Sequence, residues 1–111
     1  MLKFRVKDSP LEREIESYGV KEFKKIGVRL DKFTSPGKRS VPDRIALCDD
    51  SFTFFIEFKR EGQKATANQL REHERLRSLG YVVLVIDSKD NVDKAVGLYK
   101  EGKLIEYPKT I

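Results

Sequence analysis

The sequence holds one cysteine, one histidine and no tryptophan. A lone Cys48 closes no internal disulfide, and its place in an apolar stretch suits a buried, inert thiol. One cysteine with one histidine, His73, cannot build a structural zinc site. No apolar run approaches the roughly 20 residues that span a bilayer, and the opening stretch MLKFRVKDSP has no signal-peptide core. A reducing, cytoplasmic setting away from membranes is expected. Neither Gly/Ser- or Pro-rich linkers, nor repeats, nor low-complexity tracts interrupt the 111 residues. A single domain over 1–111 follows, long enough to bury well over half of its unfolded surface.

What is abundant is charge. Asp, Glu, Lys and Arg make up 37% of the chain, with 23 basic residues against 18 acidic ones, for a formal net charge of +5. A basic excess of this size permits a polyanionic partner such as nucleic acid without requiring one.

The apolar residues cluster in a pattern that alternates helices and strands. LKFRV, near the N-terminus, reads as a short edge strand. Ser9-Pro10-Leu11-Glu12 reads as a helix start, with Ser9 as N-cap, Pro10 in the first position and Glu12 as the capping-box acid. Leu11, Ile15, Tyr18, Phe23 and Ile26 form its apolar stripe, and Gly27 its stop. Val28 to Phe33 suggests a strand, and residues 34–40 a basic, turn-rich loop. Strands are predicted at Asp43–Cys48 and Phe52–Lys59. A second helix starts near Thr66, where Thr66 and Gln69 have capping-box spacing; Leu70, His73, Leu76 and Leu79 give its apolar side, and Gly80 its stop. Tyr81–Ile86 is nearly all apolar and reads as a strand buried on both faces, reached by a parallel crossover. A third helix over Asn91–Tyr99 and a last edge strand over Lys103–Tyr107 complete a mixed sheet with helices on its faces.

The hairpin raises a question of polarity. Phe52, Phe54, Ile56 and Phe58 share one face of their strand; Thr53, Phe55, Glu57 and Lys59 share the other. If Cys48 pairs with Phe52 across a three-residue loop, Asp43 lies opposite Glu57. A two-residue loop would instead aim the Asp43 carboxylate into the core, at a large desolvation cost. The three-residue register gathers Asp43, Glu57 and Lys59 at one end of the hairpin. Cross-strand neighbours lie roughly 5 Å apart. Two carboxylates at that spacing repel unless one is protonated or a cation sits between them. Mg²⁺, which takes one or two carboxylates plus water and phosphate oxygens, would satisfy both. Taken alone, these residues are also compatible with a plain Glu–Lys pair on a solvated sheet face and a turn aspartate after Pro42.

Pro42-Asp43 followed a strand later by Glu57-Phe58-Lys59 resembles the PD-(D/E)xK nuclease superfamily. The longer stretches SPGKRSVPDRIAL and FFIEFKREGQKATANQLREHERLRSLGYVVLVIDS resemble the small phage-encoded VRR-NUC (virus-type replication–repair nuclease) domains, over Leu11 to about Val96. Ser40 departs from the glycine usual there. The resemblance implies an α/β, restriction-endonuclease-like fold close to Holliday-junction resolvases, with metal-dependent cleavage of DNA. It implies that Asp43, Glu57 and the backbone carbonyl of Phe58 bind Mg²⁺ or Mn²⁺, and that Lys59 orients the attacking water or stabilises charge on the phosphate. Gln69 would join the site from the second helix, although a capping-box role claims the same side chain. The acidic residue of the first helix is matched best by Glu12, then by Glu14.

Lys38, Arg39 and Arg44 before or beside Asp43, and Arg60 and Lys64 after Lys59, are candidate DNA contacts, joined by Arg71, Arg75 and Arg77 on the second helix. The resemblance further implies branched or junction DNA as the partner and a homodimer, for which LKFRV and KLIEYPKTI are candidate interface strands. No small-molecule cofactor is expected. A non-catalytic DNA-binding module and a nuclease subunit that needs a partner protein are the competing expectations.

Overall fold

The computed structural model describes residues 10–109. Within them run α1 (Glu12–Lys25), β1 (Leu30–Lys32), β2 (Arg44–Leu47), β3 (Thr53–Phe58), α2 (Ala67–Ser78), β4 (Val82–Ile86) and α3 (Lys89–Lys100), then a single 3₁₀ turn at Leu104–Glu106. The sheet order is β1-β2-β3-β4. The first three strands are antiparallel, and β4 joins β3 in parallel, as a strand–helix–strand crossover requires. The expected N-terminal strand at LKFRV lies outside the described residues.

The two faces of the sheet are covered differently. Phe54, Ile56 and Phe58 of β3, with Leu84 and Ile86 of β4, pack against Ile15 and Phe23 of α1 and Val92 and Ala95 of α3, forming the main core. On the other face, Phe55 and Val83 meet Leu76 of α2, with Phe33 and Ile45 alongside. Alternation of side chains along β3 thus sends its even-numbered residues to α1 and α3, and its odd-numbered ones to α2.

The hairpin has the expected register. Arg44 faces Ile56 and Leu47 faces Thr53, and the Cys48 N–H donates to the Phe52 carbonyl at 2.9 Å. Asp49, Asp50 and Ser51 make the loop, with Ser51 in the left-handed conformation at φ 71°, as three-residue hairpins use. At the end of α1, the N–H of Gly27 (φ 82°) reaches Lys24 O and that of Val28 reaches Phe23 O, a Schellman closure.

Four local expectations are corrected. The first turn of α1 is capped by Glu14, not Glu12: the Leu11 N–H donates to Glu14 Oε1 at 2.6 Å. The buried side of α2 is Glu72, His73 and Leu76, while Leu70 and Leu79 flank it and are exposed. α3 starts at Lys89, two residues early, because the Ser88 hydroxyl accepts the Asn91 N–H at 3.0 Å. The expected strand at Lys103–Tyr107 is the 3₁₀ turn instead. Leu104 and Tyr107, three residues apart, are both buried, and the Tyr107 hydroxyl donates to the Val85 carbonyl at 3.2 Å. A strand would have sent these two to opposite faces.

Candidate active site

The register places Asp43, just before β2, across from Glu57 near the end of β3. The Asp43 carboxylate turns toward β3 and accepts the Phe58 N–H at 2.7 Å through Oδ2. Its side chain therefore lies against the peptide that links Glu57 to Phe58. Lys59 Nζ stands 4.0 Å from Glu57 Oε2, so the odd-numbered face of β3 ends in an ion pair.

Glu57 is only 2% exposed because α2 lies over it. The helix supplies polar partners: Gln69 Nε2 donates to Glu57 Oε2 at 3.1 Å, and His73 Nε2 lies 3.4 Å from Oε1. Gln69 and His73, four residues apart, project from the same side of the helix. Gln69 also completes the capping box: the Thr66 hydroxyl accepts the Gln69 N–H at 3.2 Å, and Gln69 Oε1 accepts the Thr66 N–H at 2.9 Å. Its amide oxygen caps the helix while its amide nitrogen holds Glu57.

From the other side, α1 brings Glu12 and Glu16 toward the same carboxylates. Burial pushes the Glu12 carboxyl up; Lys59 pulls it back, and Glu57 and Glu16 push it further. Glu14, spent on the helix cap, is not part of this group. Asp43 feels the crowd most. Burial raises its carboxyl to about 7, the Phe58 N–H opposes this, and Glu57, Glu16 and Glu12 add to the rise. A carboxylate held near neutrality by burial and like charges marks a site with an unmet demand for positive charge.

No three His, Cys, Asp or Glu side chains among the described residues form a ready metal cage. The donor set fits a hard ion of the Mg²⁺ type, which takes one or two carboxylates and fills the remaining positions with water, backbone and phosphate oxygens.

The basic candidates fall into two groups. Lys38 and Arg39 line a groove that runs along the β1–β2 loop to Pro42 and Asp43; Lys64 is exposed and Arg60 half-buried in the loop after β3. Arg44, expected to face DNA, is committed elsewhere: Nε donates to Glu16 Oε2 at 2.7 Å and Nη1 to the Leu30 carbonyl at 2.9 Å. It braces α1 against the sheet. Arg77 is likewise turned inward, donating to the Val83 carbonyl at 2.6 Å. The spacing of the sequence offered no sign of either commitment. It also placed His73 on the apolar side of α2 without linking it to Glu57, although the spacing from Gln69 was a usable signal.

Two comparisons bear on this arrangement. The chain is 48% identical over 79 residues to "Putative nuclease p44" of Acyrthosiphon pisum secondary endosymbiont phage 1, a match covering 71% of this chain and 85% of that protein. It is also similar to a solved structure described as a VRR_NUC domain, with a TM-score of 0.74 and 32% identity, over 79% of this chain and 96% of the other. No family model matches the sequence.

Proposed function

We propose, for a chain that belongs to the VRR-NUC family of nucleases and so hydrolyses phosphodiester bonds, a divalent-metal-dependent endonuclease acting on branched DNA. The observation that carries the reading is the facing pair Asp43 and Glu57, the Asp43 carboxyl pushed up to about 7 by burial and the neighbouring carboxylates, with Lys59 4.0 Å from Glu57. Asp43, Glu57 and the backbone carbonyl of Phe58 would hold Mg²⁺ or Mn²⁺, which when bound polarises the phosphate and lowers the pKa of an attacking water.

The remaining steps belong to this chain's side chains. Gln69 orients Glu57 by occupying Oε2. Lys59 places a positive charge where the phosphate gains negative charge, or orients the water. Glu12 closes the acidic side of the site from α1. Lys38, Arg39, Arg60 and Lys64 hold phosphates around it, whereas Arg44 keeps the frame that positions them. A two-fold symmetric junction would suit a homodimer presenting two equivalent sites. The whole of 1–111 acts as one domain, in phage DNA replication or repair inside the host cell.

The test is cleavage of labelled four-way junction, flap and linear duplex in Mg²⁺ and Mn²⁺, beside Asp43→Ala, Glu57→Ala and Lys59→Ala. Metal-dependent, paired nicks on the junction, lost in all three variants, are expected. Cleavage that survives the substitutions would refute this site. DNA binding without cleavage by the chain alone would point to a missing partner subunit.

A further inference from the structure

A second screened carboxylate lies on α2, outside the group just described. Glu72 is 4% exposed. It accepts from Arg75 Nε at 3.2 Å and Nη2 at 2.9 Å, and Lys38 Nζ lies 3.9 Å away. Arg75 is one turn further along the helix, but Lys38 comes from the β1–β2 loop. Both partners are long side chains lying against it, themselves 59% and 56% exposed. A charge shared in this way ties the loop to the helix.

The tie creates a cleft. Lys38 and Arg39 are on its loop wall; Asn68, Arg71, Glu72 and Arg75 are on its helix wall. Four cations face one carboxylate, and that carboxylate is engaged by Arg75. Arg39 and Arg71 have no carboxylate partner among the described residues; Arg71 bonds only the Asn68 side-chain oxygen. The cleft therefore presents guanidinium groups to an anion, and it lacks the Asp43 and Glu57 carboxylates that a hydrolytic centre needs. The other side of the same loop, again with Lys38 and Arg39, lines the groove that ends on Asp43. An extended polyanion can cross from one to the other over that loop.

We propose that this cleft is a second phosphate subsite, holding a DNA backbone phosphate that is not the one cleaved, and that Glu72 sets the spacing of its two walls. The proposal rests on DNA being the substrate of the site at Asp43. Arg71 and Arg75 thereby become binding residues, placed on the opposite side of the loop from the chemistry.

Binding is measured without turnover, on the full chain in EDTA with a short fluorescent duplex, as a function of salt. Arg71→Gln alters an exposed side chain that lines the cleft but not the groove at Asp43, and leaves the Glu72–Arg75 pair and Lys38 in place. It is expected to lower the slope of log K against log salt by about 0.9, the loss of one phosphate contact. Lys94→Gln, an exposed lysine on α3, is expected to leave the slope unchanged. A wild-type slope for Arg71→Gln would overturn the subsite, as would an equal loss for Lys94→Gln, which would mean a general effect of net charge. Inorganic phosphate separates a free-anion site from a backbone one. Millimolar phosphate that raises the melting temperature of wild type but not of Arg71→Gln, while leaving duplex binding unchanged, would make it the former and overturn the DNA assignment. Cleavage by Asp43→Ala is scored separately: activity there would sink the proposed centre and leave the binding result standing.

Discussion

Asp43 and Glu72 are both carboxylates that the fold shields from water, and their proton affinities move in opposite directions. Glu72 is held below the usual carboxylate range, chiefly by its hydrogen bonds from Arg75, against the opposing effect of burial. Asp43 is pushed up to about 7, chiefly by burial, with only a backbone N–H to oppose three neighbouring carboxylates. The difference is one of depth and company together: burial acts most on Asp43, and the hydrogen bonds from Arg75 act most on Glu72. Around Glu72 the sequence has supplied an arginine three residues on, and the charge is balanced inside the protein. Around Asp43 and Glu57 it has supplied neutral donors, one lysine and more acid. A folding chain gains nothing from the second arrangement, which is what supports the proposal that a cation and a phosphate complete it.

Removing the Asp43 charge should break that contrast most visibly. In Asp43→Asn the amide oxygen can still accept the Phe58 N–H, but the repulsion is gone. Cleavage is expected to fall on the order of 10³-fold or more, while the metal-free protein becomes more stable. The stability gain depends on pH. The folded wild type binds more protons than the unfolded chain between the ordinary Asp value of 3.8 and about 7. Its contribution to stability therefore falls as pH rises through that window. Melting curves without metal should show the variant gaining on wild type from about pH 4 to about pH 7, then running parallel above it. A variant that melts lower than wild type at pH 8 would mean that Asp43 is structural, like Glu72.

Metal should sharpen the same contrast by a smaller amount. A cation at Asp43 must displace the proton held there at low pH and meets a bare carboxylate at high pH. Mg²⁺ or Mn²⁺ is expected to raise the melting temperature more at about pH 8 than at about pH 5. Equal shifts at both would take Asp43 out of the ligand set.

Much of this was legible because it follows from counting. The strand period and the cost of burying a carboxylate fixed the loop length between Cys48 and Phe52, and with it the facing of Asp43 and Glu57. Gly27 and Gly80 mark the ends of α1 and α2 because both sit at positive φ, 82° and 96°. The errors occur where a residue has several partners to choose from. Glu12 and Glu14 both lie in the first turn of α1, and only the position of Leu11 decides which one caps it. Arg44 looked like a DNA contact because Glu16, its partner, is 28 positions away.

Gly19 carries no sign of its role in the sequence, for a related reason. A Cβ there would stand 2.8 Å from the Phe58 ring, which is fully buried. The absent side chain lets α1 approach the very strand end that carries the site. Gly19→Ala should improve helix propensity yet destabilise the protein overall, by roughly 1 kcal/mol, because overpacking a filled core outweighs the gain. A more stable alanine variant in chemical denaturation would show that Phe58 has room to yield.

The smallest expected effect is at Glu72, and its value lies in its sign. Glu72→Gln keeps the shape of the side chain and removes the charge that Arg75 and Lys38 share. Because both partners are exposed to water, the loss of stability should be slight. Its pH dependence is the reverse of that at Asp43. A carboxylate held below its ordinary value of 4.5 contributes stability above that pH and loses it as pH falls through the folded value. Wild type should therefore melt slightly above Glu72→Gln from neutral pH down to about pH 5, and the two curves should merge in more acid solution. Asp43→Asn opens a gap in favour of the variant as pH rises; Glu72→Gln opens one in favour of wild type. If both variants gained stability at neutral pH, Glu72 too would be a strained carboxylate awaiting a cation, and the division of α2 into a catalytic side and a bracing side would fail.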